Sequence, residues 1–177
     1  MTTPKSERTL ILLRHGKAEQ GDGRRDHDRA LAPRGHGDAR AVGRWMSDRS
    51  QTVDLDLVLC STSERTRQTL EEVCDGGVSV KEARFDPRIY DASAGGLLDV
   101  LHEVADSVNT VLLVGHGPGV PVLAVALAQN GAGSADVDKR WTHTFPTSGV
   151  AVLGFQGSWA ALAPDMAYLS AFVVPRA

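Results

Sequence analysis

Four apolar residues in a row, Leu10-Ile11-Leu12-Leu13, break off at Arg14-His15-Gly16. A run of this kind, with no polar alternation, suits a strand buried on both faces of a parallel sheet. The pattern recurs at Val111-Leu112-Leu113-Val114, which ends at Gly115-His116-Gly117-Pro118-Gly119. Between the two, apolar positions at helical spacing (Ala39, Val42, Trp45 and Met46) predict a helix over residues 33–49, opened by Pro33, with Trp45 in the core. Leu57 to Cys60 reads as a short buried strand, and Ser61-Thr62-Ser63-Glu64 supplies capping residues for a helix over 63–74. A third strand is expected over 78–85, a connection over 86–93 and a helix over 94–105. After His116 a further helix should bury Val122, Leu123, Val125, Ala126 and Leu127. Residues 129–147, rich in glycine and polar side chains and carrying Trp141, His143 and Phe145, read as a long surface excursion that could border a pocket. The end of the chain predicts two strands, 148–155 and 157–162, joined by a tight Gln-Gly turn, with 169–173 as a short edge or docking segment.

Strands alternating with helices imply an α/β fold with a mostly parallel central sheet and helices on both faces. In such sheets ligands collect beyond the carboxyl ends of the strands, so Arg14, His15 and His116 fall at one edge. Arg65 joins them from the first turn of the helix over 63–74. Acidic residues suit that position for dipole reasons, so an arginine there points to an external anion. The plainer alternative is a surface arginine paired with Glu71 or Glu72. Directly beyond His15, residues 20–32 form a charged loop that could fold Arg29 over an anion, although most of its side chains read as solvated. Asp91 is placed near the same rim.

The length of 177 residues suits one domain spanning 1–177. A net charge of −3, with 19 basic and 22 acidic residues, offers no basic excess for nucleic acid or anionic lipid. Any anion must therefore be held locally. The opening residues lack an apolar leader, and no apolar run approaches the ~20 residues of a membrane span, so a cytoplasmic protein is expected. Cys60 and Cys74 have no zinc-type spacing and read as buried free thiols.

Two arginines, two histidines and helix N-termini make an electropositive cup suited to a tetrahedral phosphate, because guanidinium groups match its oxygens and stay charged. A neutral imidazole can attack phosphorus and pass the group on to water. Arg14, Arg65 and a protonated His116 would stabilise the transferring oxygens without a metal or cofactor.

Leu13-Arg14-His15-Gly16 resembles the RHG signature of the histidine phosphatase superfamily, the phosphoglycerate-mutase-like group. Residues 61–69, Ser-Thr-Ser-Glu-Arg-Thr-Arg-Gln-Thr, resemble its second arginine motif, and Val114-Gly115-His116-Gly117 its second histidine. Asp28-Arg29-Ala30-Leu31-Ala32-Pro33-Arg34-Gly35 and the short length are similar to the small bacterial phosphohistidine phosphatases of the SixA type, with 129–147 poorly matched. The resemblance implies a three-layer α/β/α sandwich and a phosphorylated nucleophile at His15. Arg14, Arg65 and His116 form the implied phosphate pocket, with Gly117 and Arg29 among the substrate-binding residues. Larger members place a glutamate general acid after the third strand, where this chain has Ile89-Tyr90-Asp91, which makes Asp91 the candidate proton donor. The implied substrate is a phosphohistidine protein. A small-molecule phosphomonoesterase on the same site is the enzyme alternative, a mutase being disfavoured by the lack of an extended lid. A non-catalytic phosphate-binding protein is the other.

Overall fold

The computed structural model describes residues 7–49, 54–133 and 144–177. In chain order its elements are β1 (Glu7–Arg14), α1 (Pro33–Ser47), β2 (Asp54–Leu55), β3 (Leu57–Cys60), α2 (Glu64–Asp75), β4 (Ser79–Val80), β5 (Ala83–Phe85), α3 (Ala94–His102), β6 (Thr110–Gly115), α4 (Gly119–Leu127), β7 (Ala128–Gly133), β8 (Val150–Gln156) and β9 (Ala167–Val173). Seven strands form one sheet in the order β5-β3-β6-β1-β8-β9-β7. All pairings from β5 to β1 are parallel, as is β7 with β9, while β8 runs antiparallel to both neighbours.

The unalternating apolar runs are explained by the two cores they feed. Leu10 and Leu12 of β1, with Leu57, Leu59, Val111 and Leu113, pack on the face covered by α3 and α4. Ile11 and Leu13, with Val58, Cys60, Leu112 and Val114, pack on the opposite face with Val42 and Met46 of α1 and Leu70 and Val73 of α2. The result is the expected three-layer α/β/α arrangement, with β1 and β6 buried on both sides.

Several expectations need correction. Residues 78–85 are two short strands rather than one, because β4 leaves to pair with β2 in a separate two-stranded sheet. The strand expected at 157–162 is a 3-10 turn over Trp159–Ala161, reached through Gly157 at φ 116°. Trp159 drops into the core there, edge-on to Phe155, and donates its indole N–H to Val108 O at 2.8 Å. The true partner of β8 is β9, which begins two residues before the expected edge segment. Val122 and Val125 of α4 are exposed, so this helix buries the narrower stripe of Val120, Leu123, Ala124 and Leu127. Trp45 is only partly buried and carries Arg49 over its ring. Ser63 sits at the N-cap of α2, but its hydroxyl bonds Thr66 Oγ1 instead of a helix N–H. Both cysteines are free, Cys60 buried and Cys74 exposed. Of the expected surface excursion, 129–133 belong to β7, Phe145 is in the core, and Trp141 and His143 lie outside the described residues.

Trp159→Ala should lower the unfolding free energy by about 3–5 kcal/mol, the usual cost of removing a buried tryptophan, as read from urea denaturation. A loss within the range of surface substitutions would show that the turn carries little of the core.

Candidate active site

Parallel pairing brings the two histidines together. β1 and β6 register Arg14 against Gly115, so the next residues, His15 and His116, leave the sheet side by side. The His15 N–H donates to Gly115 O at 3.0 Å, and the two imidazoles lie 5.1 Å apart between centroids. β3 ends one strand further out, where Ser61 N–H donates to Val114 O and the chain enters α2. Arg65, on the first turn of that helix, is buried and turns inward to the histidines.

The turn after β1 is held tightly. Gly16 N–H donates to Thr69 Oγ1 on α2. A Cβ at Gly35 would stand 2.1 Å from Lys17 O, and one at Gly16 2.7 Å from Gly35 O, so glycine at both lets the start of α1 meet the turn backbone to backbone. Arg14 sends Nη1 to Phe145 O at 2.8 Å, and its guanidinium lies against Gly117, where a Cβ would come within 3.1 Å of Arg14 Cζ. Gly117 thus makes room for Arg14.

His15 Nδ1 lies 2.7 Å from Gly16 O and must donate to it, because a carbonyl only accepts. That places the lone pair on Nε2, which Arg65 Nε faces at 3.4 Å. Burial, together with the Arg65 and Arg14 charges, pushes the His15 pKa down to about 4 despite the bond to Gly16. His116 Nε2 is 2.8 Å from Ser61 Oγ. Ser63 N–H donates to that oxygen at 3.5 Å, and the hydroxyl keeps one proton and a second lone pair, so it can partner His116 Nε2 in either tautomer. Burial, then His15 and Arg65, push the His116 pKa down to about 3. Near neutral pH both rings are therefore uncharged. This differs from the protonated His116 expected from the sequence, because burial beside positive groups disfavours the charged ring.

At this edge the Arg14 Nε donor, His116 Nδ1 and the Ser148 hydroxyl are buried without a hydrogen-bond partner. Buried polar groups are rarely left so, and an oxyanion would offer an acceptor to the Arg14 N–H and to His116 in its Nδ1–H tautomer. Among the described residues, no group of three His, Cys, Asp or Glu side chains is arranged to hold a metal ion.

The sequence reading missed Asp26 and Tyr90. Asp26 lies in the 3-10 turn of the charged loop, and Arg65 forks onto it, with Nη1 to its backbone O at 2.6 Å and Nη2 to Oδ2 at 2.9 Å. Tyr90 OH donates to the same Oδ2 at 2.7 Å, and the Tyr90 ring stands edge-on to His116 and His27. The Tyr90 hydrogen bond, followed by those from Arg29 and Arg65, holds the Asp26 carboxyl well below the usual carboxylate range, and Asp26 in turn raises the Tyr90 pKa. Arg29 donates to Asp26 Oδ1 and to Glu19 O, so its contact with the cup runs through Asp26. Asp91, one residue beyond Tyr90, is exposed at φ 54° and makes no hydrogen bond or ion pair among the described residues. Arg65 does not pair with Glu71 or Glu72; Glu72 instead binds His36 and Arg40. Proximity of Tyr90 to Asp91 was the one available signal for the former, and none in the sequence singled out Asp26 among its charged neighbours.

The sequence model described as histidine phosphatase superfamily (branch 1) matches residues 10–107. An uncharacterized protein of Mycobacterium tuberculosis is 43% identical over 164 residues, which span 93% of this chain and all of that one. The phosphohistidine phosphatase SixA of Escherichia coli is 30% identical over 120 residues, or 67% of this chain and 73% of that one. Among solved structures, a protein of Nakamurella multipartitia assigned as a phosphohistidine phosphatase SixA superposes with a TM-score of 0.83 at 32% identity, covering 98% of this chain and 99% of the other.

Proposed function

The chain belongs to the histidine phosphatase superfamily, and on that premise we propose a metal-independent phosphatase, within one domain, that passes a phosphoryl group through His15 and acts on phosphohistidine in a protein. The observation that carries the mechanism is the Gly16 carbonyl fixing the His15 proton on Nδ1, so that Nε2 is a neutral nucleophile at the base of the cup. In the first step Nε2 bonds to phosphorus as the bond to the leaving atom breaks, with the electron pair departing on that atom. Arg14, Arg65 and the His116 N–H hold the equatorial oxygens, a preorganised stabilisation in a largely dry site. Water then takes the phosphoryl group from His15, releasing inorganic phosphate and the free imidazole.

The surroundings of the leaving atom favour a phosphoramidate. Asp26 is held ionised, the Tyr90 hydroxyl is spent on it with a raised pKa, and Asp91 stands apart at the surface. None of them is placed as a ready proton donor. An imidazole can depart with little help, whereas the alkoxide of a sugar or glycerate needs a proton from an acid. The proposal thereby sets Asp91 aside as general acid. One observation favours the second reading, a small-molecule phosphomonoesterase: a cleft of about 370 Å³ lined by Arg24, His27, Asp28, Ala30, Thr62, Glu64 and Gln68 lies beside the cup. A cytoplasmic location suits the free, exposed Cys74.

The test is a panel of a phosphohistidine protein, an aryl phosphate, sugar phosphates and phosphoglycerates, assayed with EDTA. Phosphohistidine should show the highest kcat/KM, and chelator should leave every rate unchanged because guanidinium charge replaces metal charge. Preference for a sugar phosphate would favour the second reading. Loss of turnover in EDTA with recovery in magnesium would overturn the mechanism, and no hydrolysis of any substrate would leave a phosphate-binding protein.

A further inference from the structure

We propose that Arg176 is a positioning residue for the reaction centre, acting through the strap of residues 145–149 that holds Arg14 and His15. It rests on those two residues being the reaction centre, as proposed above. The strap grips the end of β1 from one side. Gly149 O accepts the Arg14 N–H at 3.1 Å, and Ser148 N–H donates to the carbonyls of Arg14 at 3.0 Å and His15 at 3.1 Å. Phe145 O accepts Arg14 Nη1. To reach both carbonyls, Ser148 adopts φ 60°, a left-handed conformation that a non-glycine residue holds only when its surroundings impose it.

Arg176 imposes it from the other side. Its Nη1 donates to Thr147 O at 3.1 Å and to Asp38 Oδ2 at 2.8 Å. Asp38, on α1, is a buried carboxylate outside the cup, with Arg34 Nε at 3.3 Å and the Ala177 N–H at 3.2 Å as its other donors. Ala177 also packs on α1, where a Cβ at Gly37 would stand 2.9 Å from its Cβ. Asp38 is buried but Arg176 is open to solvent, and an ion pair screened on one side contributes little net stability, so what this one supplies is geometry: a fixed post on α1 to which the strap is tied. The line from Asp38 through Arg176, Thr147 and Ser148 to His15 passes only through hydrogen bonds and one short stretch of backbone.

The experiment compares wild type, Arg176→Ala and the double variant Asp38→Asn/Arg176→Ala on an aryl phosphate, with thermal unfolding measured alongside. Arg176→Ala should lower kcat about tenfold, the scale of a small misplacement at the reacting atoms, with KM changed less than about twofold because Arg65 is held by α2 and His116 by the end of β6. It should also lower Tm by leaving Asp38 underpaired. The double variant removes that buried charge and should recover Tm while kcat stays low. A wild-type kcat in Arg176→Ala, or kcat recovering with Tm in the double variant, would overturn the proposal in favour of a purely structural pair. If Arg176→Ala alone does not fold, the double variant decides. A wild-type protein that fails to turn over the aryl phosphate would defeat the proposed function instead.

Discussion

His15→Ala is expected to abolish both turnover and covalent labelling, the largest effect of any single substitution in this chain. Nε2 is the atom proposed to bond phosphorus, and the neighbouring His116 is not placed to replace it, because its Nε2 is engaged by Ser61 at 2.8 Å. A rapid quench of the wild-type protein should trap an acid-labile, base-stable phosphate, as a nitrogen–phosphorus bond requires, on the peptide containing Arg14-His15-Gly16. His116→Ala should slow its formation while leaving the acceptor intact. Label recovered on His116 would reverse the two assignments. The pH profile follows from the same atom. The nucleophile must be neutral, and the His15 pKa is lowered from its ordinary value to about 4, so the active form persists well below pH 6.5. The acid limb of kcat/KM should fall only as pH drops through about 4, and a limb near 6.5 would mean that the ring is far more solvated than its burial indicates.

What the sequence made legible, and what it hid, divides along a physical line. β1, β3 and β6 were readable because strands buried on both faces carry no polar alternation, and their ends delivered Arg14, His15 and His116 without any knowledge of loops. Arg65 was readable because a cation at a helix N-terminus is out of place unless an anion is near. Apolar residues with no surrounding period were harder: Trp159 and Leu162 are as hydrophobic as strand residues, and only tertiary burial decides that they sit in a 3-10 turn and its cap. Val122 and Val125 have side chains of core type, yet the turn of α4 sets them outward. Asp26 was hidden for a different reason. Its partners Arg65 and Tyr90 lie 39 and 64 residues away, and a charged loop looks solvated until the fold brings those residues over it. Asp91, chosen by position alone, has the backbone of a turn residue, and its neighbour Tyr90 turns in where an acid was expected.

Arg65→Ala should lower kcat by roughly two to three orders of magnitude, or about 2.7–4 kcal/mol, the scale for losing one preorganised donor to a transition-state oxygen. Arg67→Ala should cost only a few fold. The two arginines stand two residues apart on α2 and so leave it in different directions. Arg65 is buried, aims Nε at His15 Nε2 and anchors its other nitrogens on Asp26, so its guanidinium is oriented before any substrate arrives. Arg67 lies over the exposed Phe85 ring at 4.3 Å and donates to Thr62 O, away from both histidines. Arg65→Lys should recover little, because an ammonium cannot keep the fork on Asp26 and still face the phosphoryl group. Steady-state kinetics on an aryl phosphate give all three values. Equal losses at the two arginines would mean that Arg67 also reaches the phosphoryl group, and a near-normal Arg65→Lys would show that charge alone, without the orientation set by Asp26, is what the transition state requires.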